Sequence, residues 1–305
     1  MSSPVDGTAD VMTSIAARPA NIAKPRSARK PARDHRPYGG YRTALWIYAG
    51  AFYAFLYGPL LMIVLLSFNN SEIVGFPFQG FTVRWYEVVF ASPALLKALG
   101  NSLAVGFLAA AIATTLALTL AMAFRHQFRG KSIVLYLILV PIIIPGIIGG
   151  IVLLIFFGFS GIRSSLWTTV LVAHVNWVLP FAFLTLFPRL HGFDRALEEA
   201  AMDLGAKPWE IFTRIVFPII RPGVIATALF SFSLSFDEFI RTIFVSGFDR
   251  TIPVQFWGLI VDELAPELPA MAVLIIVISI FSSLIGFYFM WRASRAAATY
   301  DRKAS

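Results

Sequence analysis

The sequence predicts an all-α integral membrane protein with six transmembrane helices and both termini in the cytoplasm. Three observations carry this expectation. The 305 residues are 58% hydrophobic and only 14% charged, which is too little polar surface to cover a soluble globule. Long charge-free stretches recur, and each exceeds the roughly 20 residues needed to cross a bilayer core. Lys and Arg gather in alternate connections, which assigns each connection to one side of the membrane.

Residues 1–43 are rich in Ala, Ser, Pro and Arg and carry eight basic residues from Arg18 to Arg42. They read as a disordered basic cytoplasmic arm, and no cleaved signal peptide is expected because no apolar run precedes the basic cluster. Charge-free stretches then place spans at about 44–67, 101–124, 133–157, 165–187 and 269–291. A further span at about 222–246 is apolar except for Asp237, Glu238 and Arg241. The membrane domain is thus 44–292, and 293–305 is a short cytoplasmic tail.

Twenty of the 25 Lys and Arg residues lie in the arm, the 125–131 loop, the 189–221 loop and the tail. That side is the cytoplasm, and the net charge of +8 becomes an orientation signal that calls for a lipid bilayer rather than nucleic acid. The absence of Cys excludes disulfides and thiolate metal sites, and His35, His126, His174 and His191 show no ligand spacing. Gly130-Lys131-Ser132 mimics the end of a phosphate-binding loop, but Arg125 stands where its first Gly would be. With no nucleophile elbow or paired carboxylates on a soluble scaffold, an enzyme is not expected.

Span three holds Pro141, Pro145, Gly146, Gly149 and Gly150. These residues bend helices and permit close backbone approach, so either a kinked, tightly packed helix or a flexing gate fits. The 190–221 loop pattern suggests two short helices. Ala196 to Leu204 ends at Gly205, and Pro208 opens Trp209 to Phe217, with Pro218 and Pro222 punctuating the start of span five. Such a hairpin either presents a knob to a partner or packs on its own spans through Ile211, Phe212 and Ile215.

The loop reads Glu199-Ala200-Ala201, three residues, Gly205, nine residues, Ile215, one residue, Phe217-Pro218. This resembles the EAA loop of type I ABC importer permeases, the binding-protein-dependent inner membrane components, in which Leu is usual at Phe217 and Ser is frequent at Lys207. Asp203, Leu204, Pro208 and Trp209 complete the matching segment. The resemblance runs from about Tyr41 to Trp291 and includes Trp85-Tyr86 and Asn101-Ser102. It implies the six-helix type I permease fold in a bacterial inner membrane. It also implies three partners: an ABC ATPase subunit that docks on this loop, a second and non-identical permease, and an extracytoplasmic substrate-binding protein. ATP and Mg would be held by the ATPase, with no cofactor on this chain.

Acids inside an apolar run cost roughly 2.5 to 3.5 kcal/mol each at mid-bilayer, so Asp237 and Glu238 should face protein or water. Counted from Gly223 on a helix, Asp237 lies about 14 residues, or roughly 21 Å, along the span. Ser235-Phe236-Asp237-Glu238-Phe239, Thr251-Ile252-Pro253 and Pro266-Glu267 resemble the spermidine and putrescine branch of the family, whose relatives also handle opines, amino-acid-like compounds and iron. The implied substrate path includes Ser235, Phe236, Asp237, Glu238 and Arg241, and Asp262, Glu263 and Glu267 add negative charge outside. The competing reading pairs Asp237 with Arg241 at i,i+4 and leaves Glu238 about 100° away, outside that pair. A secondary transporter using the acids as proton carriers is the alternative class, although no inverted repeat is evident.

Overall fold

The computed structural model describes residues 39–304 apart from residue 263, so most of the basic arm and Glu263 lie outside the described residues. The described chain is helical, with a single isolated bridge between Asn69 and Phe81 and no strands. It divides into two units, Met1–Leu56 and Tyr57–Ser305. The first helix, α1, is Gly39–Leu66. The short α2, Arg84–Ala91, leads into α3, Pro93–Ala123, whose first turn is capped by Ser92 and opened by Pro93.

Lys131–Ile143 forms α4 and Gly146–Phe159 forms α5. A π turn at Leu166–Val170 precedes α6, Leu171–His191. Ala196–Asp203 is α7, and Pro208–Ile211 is α8, which passes through a π turn at Phe212–Val216 into α9, Phe217–Phe236. The remaining helices are α10, Thr242–Val245, α11, Ile252–Asp262, and α12, Leu268–Ala304.

Among the described residues, five helices are long and apolar enough to cross a membrane, and α4 with α5 makes a sixth if that bent pair counts as one span. The bend is 109°. It falls where Ile144 adopts an extended conformation before Pro145, a conformation that proline favours in its predecessor. Pro141, although inside α4, does not break it.

The packed centre is α3, α6 and α9, with α12 against α9. Lipid is as apolar as Leu, so close packing rather than hydrophobic transfer holds such helices together. Hence the buried face of α3 is Ala109, Ala110, Ala113, Ala117 and Ala121. Gly106 receives the Phe232 ring so closely that a Cβ there would come within 2.9 Å of it. On α5, a Cβ at Gly150 would come within 2.6 Å of the Phe244 ring and 3.3 Å of the Arg241 backbone. The glycines of span three thus seat the segment around α10.

The motif residues at the ends of the spans tie neighbouring segments together. The Asn101 amide donates to the Arg250 carbonyl (2.9 Å), and the Ile252 N–H donates to the Ser102 hydroxyl (2.8 Å). The Trp85 indole donates to the Asn69 carbonyl (2.8 Å), and the Tyr86 and Ser67 hydroxyls share a hydrogen bond of 2.8 Å.

Candidate functional site

Two regions carry polar chemistry, the 190–221 loop and the chain break that follows α9. In the loop, Gly205 has φ +83°, a left-handed conformation suited to glycine, and this ends the helix that begins at Ala196. Glu210 accepts a hydrogen bond from the Lys207 N–H (3.0 Å), so half of a capping box operates without a Ser. The inner face packs Ile211 and Val216 into a cluster with Phe124, Phe183, Leu186 and Leu190, joined by Ala201, Phe212 and Ile215. The outer face leaves Leu204 (90% exposed), Trp209 and Met202 uncovered. Glu199, Ala200, Asp203 and Pro208 are exposed beside them.

The loop is fastened to the end of α3. Arg125, buried, pairs with Glu198 at 2.5 Å, and the Arg195 guanidinium donates to the Arg125 carbonyl. The second helix of the loop does not stop before span five, as the prolines had suggested. It runs on through Pro218 and Pro222, and the π turn explains how it passes the first of them. The Phe217 N–H bonds five residues back to Phe212, and the widened turn relieves the clash that a proline ring makes with a preceding carbonyl.

Span five ends at Phe236, short of the expected 246, and the acids lie in the break beyond it. Of the two readings of the acids, the i,i+4 pair of Asp237 with Arg241 does not form. Arg241 pairs with Glu238, not Asp237: Glu238 Oε2 lies 3.2 Å from Arg241 Nη1, and Oε1 accepts the Arg241 N–H at 2.8 Å. Both side chains are buried, Glu238 to 7% and Arg241 to 4% exposure. The Arg241 guanidinium also lies 3.9 Å over the Trp177 ring of α6, an additional attraction for a desolvated cation. Asp237 is exposed and accepts a hydrogen bond from Ser279 of α12 (2.8 Å).

Of the other expected path residues, Ser235 and Phe236 are buried, Phe236 within a cluster with Trp85, Phe232 and Met271. Arg241 lines a cavity of about 200 Å³ with Asn176, Gly149, Pro141, Ile144, Leu137 and Val140. The break thus separates a free carboxylate from a closed ion pair. Sequence reading missed His174, Trp177 and Ser279, which hold this region from α6 and α12. The hydroxyl-rich stretch from Ser231 to Ser235 was the one local signal that polar partners were needed.

The chain was compared with known proteins. It is 35% identical to the spermidine/putrescine transport system permease protein PotC of Escherichia coli K12 over 244 residues, 79% of this chain and 89% of that one. It is 35% identical to the putrescine transport system permease protein PotI of the same strain over 253 residues, 80% of this chain and 89% of the relative. In fold it is similar to a bacterial ABC transporter for import of the acidic polysaccharide alginate, with TM-score 0.65 and 16% identity over 83% of this chain and 96% of that one. A profile of the family described as binding-protein-dependent transport system inner membrane component matches residues 113–295. The chain therefore belongs to the binding-protein-dependent transport system inner membrane components and is a multi-pass permease subunit of an ABC importer.

Proposed function

We propose that this chain forms one side of the translocation path of a polyamine importer, with Asp237 as the carboxylate that receives an ammonium group. The observation that supports it is the division of labour between adjacent acids. Glu238 is neutralised by a buried Arg241, whereas Asp237 is exposed with a single hydroxyl on it among the described residues. A free carboxylate at the end of a span is costly unless it meets water or a cation. Phe239, two residues on, forms an aromatic pair with Trp257 of α11, ring centroids 5.5 Å apart, and rings tolerate the methylenes between ammonium groups. The names of the relatives PotC and PotI support the same substrate class.

The excess of Lys and Arg supports a cytoplasmic place for the 190–221 loop. There its apolar tip, Leu204 and Trp209, supports docking of the ATPase, which holds ATP and Mg. A non-identical second permease completes the path, and an extracytoplasmic binding protein delivers the solute.

The test is putrescine and spermidine uptake by the importer, assembled with the partner subunits encoded beside it. Asp237→Asn lowers uptake by at least about tenfold, the scale of one lost charge-assisted contact. Undiminished uptake by that variant removes Asp237 from the path. Failure of the binding protein to bind either polyamine removes the polyamine.

A further inference from the structure

His174, within α6 and 1% exposed, reaches both sides of the break between α9 and α10. Its Nδ1 lies 2.7 Å from the Ser235 hydroxyl, the last turn of α9, and its Nε2 lies 2.8 Å from the Thr242 hydroxyl, the first residue of α10. Thr242 donates its one hydroxyl proton to the Glu238 carbonyl at 2.7 Å, so toward His174 it can only accept. Nε2 therefore carries the imidazole proton. In the neutral ring Nδ1 is then bare and accepts from Ser235.

Three hydrogen bonds thus run in one direction, from Ser235 to His174, from His174 to Thr242, and from Thr242 to the Glu238 carbonyl. They close a ring around the break. Three residues further along α6, Trp177 carries the Arg241 guanidinium, and Arg241 holds the Glu238 carboxylate. One helix thereby fixes the ends of the break through His174 and its ion pair through Trp177. Asp237 stands between them, held by neither.

We infer that His174 is a positioning residue for transport, fixing the shape of the Phe236–Arg241 segment and hence the place where Asp237 presents its carboxylate to the solute. That a solute meets Asp237, and that it is a polyamine, rests on the reading above, but the positioning of the segment does not. Loss of the imidazole leaves the buried Ser235 hydroxyl to seek a new acceptor, while Thr242 keeps the Glu238 carbonyl but no longer ties it to α6. Ser235 can turn back to a carbonyl of its own helix, which preserves α9 and releases the break.

The chain has no Cys, so Asp237→Cys places a single thiol on this subunit of the assembled importer, and labelling is read on this subunit alone. The measurement is its rate of modification by a membrane-impermeant, positively charged methanethiosulfonate, with and without a second change. Adding His174→Phe or Thr242→Val is expected to change that rate by at least about tenfold, the effect of one buried hydrogen bond. Thr242→Ser, which keeps the hydroxyl, stays within about twofold. Unchanged rates in an assembled His174→Phe importer overturn the inference, as does a Thr242→Ser rate that matches Thr242→Val. If His174→Phe does not assemble, the Ser and Val variants decide.

With Asp237 intact, the Thr242→Val importer is expected to show a KM for putrescine uptake raised about tenfold, and Thr242→Ser restores it. No putrescine uptake by the unsubstituted importer sinks the polyamine reading alone, because the labelling comparison does not use a substrate.

Discussion

Arg125 Nη2 stands 2.5 Å from Glu198 Oε1, joining the end of α3 to the first helix of the 190–221 loop. Arg125 is buried and its guanidinium faces the Phe193 ring at 5.4 Å, so the pair is shielded from water on the arginine side. The contact ties α7 directly to the end of α3.

Arg125→Met is expected to destabilise the loop by about 3 kcal/mol, because it strands a largely buried carboxylate. Glu198→Gln leaves the more deeply buried Arg125 without its counter-charge and should cost a similar amount. Limited proteolysis within residues 190–221, compared across the two variants and the parent, reads the difference. Equal protection in all three would mean that the pair does not hold the loop.

The Glu238–Arg241 pair makes a prediction of opposite form. Glu238→Gln leaves Arg241 buried without its counter-charge and is expected to lower stability by about 3 kcal/mol, whereas Glu238→Gln with Arg241→Met recovers most of that loss. Thermal unfolding of the detergent-solubilised importer measures it. A double variant as unstable as the sum of the singles would show that the two side chains act independently.

The span pattern is legible in the sequence because charge-free length is a local property, and the loop's register is legible because Gly205 and Pro208 act within one turn. The partner of Glu238 is not. On a helix i,i+3 and i,i+4 spacings both bring side chains together, so spacing alone does not choose between Glu238 and Asp237 for Arg241; α9 stops at Phe236, and the i,i+3 pair forms within the break. His174 is illegible for a different reason: its partners lie 61 and 68 residues away, and a lone His in an apolar run has no local signature. Pro218 misleads in the other direction, since a π turn absorbs the residue that ordinarily ends a helix.

The glycines of α5 differ in what surrounds them, and this separates packing from flexibility. Gly150→Ala puts a Cβ within 2.6 Å of the Phe244 ring and 3.3 Å of the Arg241 backbone, so α5 and the α10 segment must part. A loss of about 1–3 kcal/mol is expected from such overpacking. A Cβ at Gly158 would meet nothing within 4 Å, and Gly158→Ala should be neutral or slightly stabilising. If span three serves chiefly as a flexing gate, the two substitutions will instead impair uptake alike while leaving thermal stability unchanged.

Gly205 tests the loop without touching its packing. A Cβ there meets nothing within 4 Å, yet φ is +83°, so any cost of substitution comes from the backbone alone. Gly205→Val is expected to destabilise the turn by about 1–2 kcal/mol or more, and Gly205→Asn by less, because Asn tolerates the left-handed region while β-branched residues do not. The order Gly, Asn, Val should appear in the amount of ATPase that co-purifies with the permease, while total permease in the membrane changes little. A Val variant that retains the full complement of ATPase would show that docking does not depend on the angle between α7 and α8. The exposed side chains of Leu204 and Trp209 would then have to carry it whatever path the backbone takes.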